Sequence, residues 1–532
     1  MLLFAALFAA FSTTVAVWIN YLPSRDVATR YAPMAEALAE GDWRYAFHPR
    51  VPPLQALSGA LTALICRCDG FTALKISSAL WHLGSLFLVF VLFRNVYKER
   101  KMLPALAALC YAFYPYAFHM AYSGLRESAK TFLLLLIALA LVKIRDNARK
   151  TGGYILLGIG CGLSAVHRQE MIPLALCCIF FGAVEESLDG KFPRRIFIPA
   201  VMTMAFLAVN TMINRHFFQI AMPDCSFEQL YQKLSGGGKP GVAVFYLSAL
   251  ALAVFIPAAG FTAAKLLRKV PWQYFFCGAL ALTAATTLWA LRRDPAAEIW
   301  EFLDSVSKGF YRFAGAFAFL SIIYLAWRKR LFRSDLWVLA TAFSAAILSI
   351  VLTHLFYGKL FVPSRYLFPG MPLLFGVLLL GIEELFSLVS RFIGKFPAQI
   401  LSILLIGGAV YGLTTHMSQP LRRQLGRKRN IAMRKMMDDL SEILKKDYSG
   451  PAVREVNFYS LIYNSRRCPK VFFADDDKVC VVSYFAGGSP ALYYPEADYY
   501  IGIEPLPKGR SGVKIGEVKT YELTLSVWRM KK

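Results

Sequence analysis

The stretch "FLLLLIALALV", residues 132–142, is apolar on every side of a helix, and its reading decides the fold. A helix of a soluble protein keeps one face polar toward water. This run has no such face, and "FGVLLLGIEELFSL" (375–388) is apolar nearly all round. Of the 532 residues 57% are hydrophobic, against roughly 45–50% apolar in soluble chains. Only 17% are charged, and those cluster between the long apolar runs. The pattern is that of a polytopic α-helical membrane protein.

Working outward from 132–142, apolar runs bounded by charges predict about thirteen transmembrane helices. They fall near 1–21, 73–94, 103–119, 126–144, 152–166, 170–184, 196–213, 241–264, 272–291, 312–327, 336–356, 366–388 and 398–415. The first, "MLLFAALFAAFSTTVAVWINY", lacks a charged start and a small-residue cleavage site, so a retained helix is expected rather than a removed signal peptide. Residues 1–415 thus form a membrane domain. Five of the ten cysteines, Cys110, Cys161, Cys177, Cys178 and Cys277, lie in apolar spans and read as small core residues.

The net charge of +25 points to topology rather than to nucleic acid. Alternate connections carry Lys98, Arg100 and Lys101; Lys143, Arg145, Arg149 and Lys150; Lys191, Arg194 and Arg195; Lys265, Arg268 and Lys269; Arg328, Lys329, Arg330 and Arg333; and Arg391 and Lys395. Cytoplasmic loops collect such residues. The first opposite loop, 22–72, balances five Arg against five acids, so it is expected outside and the N-terminus inside. That loop holds a helix expected at 27–40 and the polar, aromatic and proline-rich "GDWRYAFHPRVPPL". Residues 292–310 read as an amphipathic helix at the outer surface.

Residues 416–532 belong to a different solvent class. A helix, "IAMRKMMDDLSEILKK", precedes the β-like runs "REVNFYSLIYN", "KVFFA", "KVCVVSYF", "ADYYIGIE" and "YELTLSVW", which predicts a soluble α/β domain. Thirteen spans put it outside, where Cys468 and Cys480 are candidates for a disulfide. The basic run "RRQLGRKRNIAMRK" (422–435) pulls the other way, although long domains translocate largely regardless of charge.

Ionisable residues at membrane depth are expensive and tend to mark function or a buried pair. Four places on the outer side carry them. Asp26 follows the first helix, with Tyr31 nearby; a carboxylate there suits a general base. Arg126 and Glu127 open the fourth span, where a helix-cap ion pair is the simplest reading. The turn "SAVHRQEMIP" (164–173) holds His167 and Arg168, and "YGKLFVPSRYLFPG" (357–370) holds Lys359, Arg365 and Tyr366. Such cations match a lipid-linked phosphate, which Arg binds bidentately and Lys as a point charge. Each taken alone also fits a snorkelling interfacial residue.

With these residues in view, the membrane part resembles the GT-C superfamily of polyprenyl-phosphate-dependent glycosyltransferases. The similarity is to the branch of protein O-mannosyltransferases and lipid A aminoarabinose transferases. It rests on the acidic first outer loop with Asp26, Tyr31, Gly41 to Trp43, Tyr45 and Pro52-Pro53-Leu54; on Glu127 in the second outer loop; on "GLSAVHRQEMIPLAL"; and on "PSRYLFPGMPLL". The resemblance implies an inverting transfer from a polyprenyl-phosphate-linked sugar donor to a lipid, glycan or protein acceptor. Asp26 would be the base, and Arg126, Arg168, Lys359, Arg365 and Tyr366 would hold the donor phosphate. Tyr31, His48, Arg50, Glu127 and His167 would line the pocket, in a bacterial inner membrane with the site facing the periplasm. The chain departs from the family where Val27 follows Asp26 in place of a second acid. It departs again where Arg50-Val51 precedes the prolines in place of Glu-Lys. Glu127 and His48 remain candidate ligands of a divalent metal ion. A transporter or flippase of lipid-linked sugars would show inverted repeats and discontinuous helices, and neither is visible. A membrane-anchored assembly protein would not need the outer-face charges.

Overall fold

The structure, a computed structural model, describes residues 1–19, 26–27, 31–41, 43, 46–47, 51–168, 171–218, 255–266, 268, 338–339, 342–343, 345–346, 368–394, 396–397, 400, 435, 439–440, 442–443, 446–447, 471–473, 499–502, 511–519 and 524–531. The spans expected at 272–291 and 312–327, the surface helix expected at 292–310, Cys468 and Cys480 lie outside them. Two compact units make up the chain: residues 1–9, 81–118 and 127–414, and residues 10–80, 119–126 and 415–532.

Helix α1, Leu2–Ile19, shows which solvent it was built for. Its small residues Ala5, Ala9 and Ala16 are buried, while Leu3, Phe4, Leu7, Phe11 and Trp18 are exposed, Trp18 by 84%. Water would select the opposite arrangement; hydrocarbon permits large apolar groups outside and small ones at the helix contact. Among the described residues α1 and α4, Gly70–Val96, are long and apolar enough to cross a bilayer by themselves.

In the first unit, the segment expected as one span at 103–119 is broken into α5, Leu103–Ala112, and α6, Pro115–Ala121, the last residues of which belong to the second unit. Pro115 causes the break, because it has no N–H to donate and disfavours helix at the residue before it. Helix α7, Glu127–Asp146, carries the 132–142 run and is buried along almost all its length. Helix α8, Thr151–Ala165, presents two glycine faces to its neighbours. A Cβ at Gly153 or Gly160 would come within 2.9 Å of Ile144 or Ile137 on α7. A Cβ at Gly158 would press on Met202 of α10, Phe197–Phe218, and one at Gly162 would strike Phe206. Small residues at both faces let the three backbones close together. Helix α9, Met171–Ser187, also packs on α8, and α11, Phe255–Leu266, lays Ala264 against Val184 of α9. A buried 3-10 turn, Phe368–Leu374, packs on α7 and leads into α12, Phe375–Ile393.

In the second unit the described part of residues 22–72 holds two helices where the sequence predicts one. Helix α2, Ala32–Ala39, falls within the expected 27–40. Helix α3, Leu54–Cys66, is additional. It buries Gln55, Ala56, Gly59, Ala60 and Ala63 and exposes Leu57, Leu61, Leu64 and Ile65. At 13 residues it is too short to span a bilayer, which takes about 20. Asp69 caps α4 through the Phe71 and Thr72 amides, both at 3.0 Å, and Lys75 donates to the Val17 carbonyl at the end of α1 at 3.0 Å. The C-terminal strands form a mixed sheet of order β1-β2-β4-β3: Val471–Phe473, Tyr499–Gly502, Thr524–Met530 and Gly512–Lys519. Strands β1 and β2 run parallel; the other pairs are antiparallel. Strand β3 escaped the sequence reading because its alternation breaks at an irregularity between Lys514 and Gly516. At Gly516 the strand approaches Ile443 so closely that a Cβ would lie 2.8 Å from it.

Candidate active site

Asp26 lies just beyond α1, helical and half-buried, beside the fully buried Val27. Tyr31, one turn further on at the start of α2, is 2% exposed. The Arg126 guanidinium stands over the Tyr31 ring, 5.0 Å from its centroid, within range of a cation–π contact. Three side-chain contacts fix the loop before Arg126. Gln55 Nε2 donates to the Gly124 carbonyl at 3.2 Å, Ser78 Oγ donates to the Leu125 carbonyl at 3.3 Å, and Ser123 Oγ accepts from the Leu125 amide at 3.2 Å. Gly124 has a φ of +73°, and a Cβ there would meet Leu74 at 3.4 Å and Val27 at 3.5 Å. The segment carrying Asp26 and the loop carrying Arg126 are therefore packed together. Nearby, Glu36 on α2 accepts from the Gly70 amide at 2.9 Å. Burial, aided by the Asp69 and Glu40 carboxylates, pushes its carboxyl up to about 7 against the pull of that amide.

The other unit holds a buried acid–cation pair. Glu127 opens α7, where a negative charge is favoured by the helix terminus. Its partner is not the adjacent Arg126 but Arg168, whose Nη1 donates to Glu127 Oε1 at 3.0 Å. Both side chains are 4% exposed. The tight turn closing α8 delivers Arg168, with the His167 and Arg168 amides both donating to the Ser164 carbonyl. His167 is fully buried beside it, and so is Lys130, one turn along α7 from Glu127. Glu127 Oε2 is buried with no hydrogen-bond partner among the described residues. Sequence reasoning passed over Gln55 and Lys130. The signal for Lys130 was its spacing of three from Glu127, which places both on one side of a helix.

The resemblance offered Arg168 to the donor phosphate and Glu127 to the pocket, with Glu127 and His48 as candidate metal ligands; in the structure Arg168 and Glu127 are each other's counter-charge. Among the described residues no group of three or more His, Cys, Asp or Glu is placed to hold a metal ion. Arg168 also sets a positive charge on the carboxylate a cation would need. The described residues therefore do not fit a metal. His48, Arg50, Lys359, Arg365 and Tyr366 lie outside the described residues, although the 3-10 turn that follows them is buried on α7.

Residues 50–213 match the sequence model of the dolichyl-phosphate-mannose-protein mannosyltransferase family. No curated protein matches the chain. Among solved structures, the Archaeoglobus fulgidus oligosaccharyltransferase in complex with Zn and sulfate is similar at a TM-score of 0.56 and 14% identity, over 94% of this chain and 67% of that one. ArnT from Cupriavidus metallidurans bound to undecaprenyl phosphate is similar at a TM-score of 0.53 and 12% identity, over 99% and 97%. The chain has the GT-C fold. At this level the resemblance drawn from the four sequence motifs is borne out.

Proposed function

We propose that this protein is an inverting glycosyltransferase that moves a sugar from a polyprenyl-phosphate donor to an acceptor on the outer face of the membrane. The observation that carries the reading is the stacking of Arg126 on Tyr31, in the segment that begins with Asp26. It supports the reading by setting a guanidinium against the segment that carries a carboxylate, the two kinds of group that displacement at a phosphate-bearing carbon requires.

In this reading Asp26 takes the proton of the acceptor hydroxyl or amine as its oxygen or nitrogen attacks the anomeric carbon. The bond from that carbon to the phosphate oxygen breaks, the electron pair leaves with polyprenyl phosphate, and the configuration inverts. Arg126, with Lys359, Arg365 and Tyr366 from the "YGKLFVPSRYLFPG" segment, stabilises the charge on the departing phosphate. Tyr31, His48, Arg50 and His167 shape the acceptor side. Glu127 and Arg168 form a buried counter-charge pair where α7 begins and α8 ends.

The orientation is that of about thirteen helices with the site facing the periplasm of a bacterial inner membrane. Residues 10–80 and 415–532 belong to one compact unit, which supports placing the C-terminal domain on the side of the first outer loop. The exposed Leu57, Leu61, Leu64 and Ile65 of α3 suit a helix lying in the headgroup–acyl boundary at the entrance for a lipid. The test is a transfer assay with a panel of polyprenyl-phosphate sugars, comparing the wild type with Asp26→Asn. Transfer by the wild type and an unchanged rate in the variant would remove Asp26 as base.

A further inference from the structure

Gln55, the second residue of α3, is fully buried, and an apolar side chain would fill its volume. Its Nε2 donates to the Gly124 carbonyl at 3.2 Å. A carbonyl only accepts, so the amide nitrogen must face Gly124 and the amide oxygen must turn away. That oxygen, Oε1, is buried with no hydrogen-bond partner among the described residues. Leaving a buried polar atom unsatisfied costs about 1–3 kcal/mol. Leu or Met would avoid that cost, so packing does not explain an amide here. Its bond to Gly124 does.

Gly124 is the pivot of the loop. Its φ of +73° suits glycine, and even a methyl group there would touch Val27 and Leu74. Val27 is the neighbour of Asp26, and Arg126, two residues beyond Gly124, reaches the Tyr31 ring. Gln55 therefore grips the loop at the point where it crosses the Asp26 segment. The Ser78 bond to the Leu125 carbonyl is a separate tie, so the loop keeps one anchor when Gln55 is changed.

We propose that Gln55 is a positioning residue of the transfer site, holding the second outer loop through Gly124 so that Arg126 is set for the phosphate of the lipid donor. The proposal rests on the reading of Arg126 as a phosphate ligand. It concerns a residue just past the Pro52-Pro53-Leu54 motif and outside the residues that carry the family resemblance.

The experiment uses the full chain in detergent or nanodiscs, with undecaprenyl phosphate as the probe and binding followed by titration. Gln55→Met is expected to weaken binding about tenfold, equal to about 1.4 kcal/mol. The same substitution in an Arg126→Ala background is expected to add no further loss. Binding lost with Arg126→Ala but retained with Gln55→Met overturns the proposal alone, as does an equal loss from Gln55→Met in both backgrounds. Unchanged binding with Arg126→Ala overturns the phosphate reading of Arg126, and the proposal with it. Gln55→Glu is the second probe, because its carboxyl can donate to Gly124 only when protonated. Its affinity relative to wild type is expected to rise as pH falls, while that of Gln55→Met stays flat; two flat profiles overturn the clamp.

Discussion

Arg126 and Arg168, which the sequence makes equal candidates for a phosphate, sit in opposite surroundings. Arg126 is half-buried and lies over a neutral ring, whereas Arg168 is 4% exposed and bonded to a carboxylate. Sequence makes them look equivalent, since each follows an apolar stretch and each has an acid close by. The structure separates a half-buried cation lying over a ring from a cation bonded to a carboxylate in a buried pair. A buried pair is weak support for stability, but breaking it leaves a charge stranded. The lesson is that packing, more than nearness in sequence, decides which group a charge meets.

The largest expected effect tests Asp26, the acid in the segment that leads to Tyr31. Asp26→Asn should lower transfer about 10²–10⁴-fold, the usual contribution of a general base, with the unfolding temperature unchanged. A variant equally slow but also unstable would assign Asp26 to the fold instead. Next is the buried pair: Arg168→Ala should destabilise the protein by about 3–5 kcal/mol in thermal or denaturant unfolding. The double change Glu127→Leu with Arg168→Met should cost less than either single change to Ala. A double variant as damaged as the sum of the singles would show that the two residues act separately.

Arg126→Ala should cost only about 0.5–1 kcal/mol of stability, the scale of an accessible cation–π contact, while weakening undecaprenyl phosphate binding. Stability loss matching that of Arg168→Ala would erase the contrast between the two arginines. The smallest effect is on pH. The Glu36 carboxyl sits at about 7 in the folded chain against an ordinary 4.5, so the folded state holds its proton more tightly. That contribution is complete below about pH 4.5 and is lost as pH rises through 7. Unfolding temperature should therefore fall across that window in wild type and fall less in Glu36→Gln. An identical slope in the variant would place the titration elsewhere.

Much of the architecture was legible because lipid imposes a strict rule on helices. The 132–142 run became the buried centre of α7, and the spans expected at 73–94, 126–144, 152–166 and 170–184 each became one helix. Local chemistry accounts for the misses. Pro115 split one apolar run in two, and α3 hid in a loop because 13 residues fall short of a span. In the C-terminal sheet, "KVFFA", "ADYYIGIE" and "YELTLSVW" carry β1, β2 and β4, while β3 with its lysines and glycines does not read as a strand.

Sequence alone determined that the chain is built for a bilayer and that acids and arginines gather in a few connections between its apolar runs, because hydropathy and charge clustering are properties of short segments. Only the tertiary structure decided that Glu127 belongs to Arg168, that Arg126 lies on Tyr31, and that Gln55 grips Gly124 from 69 residues away. Partners so distant along the chain leave no periodic trace, and neighbours such as Arg126 and Glu127 are drawn apart by whichever group packing brings within hydrogen-bond reach.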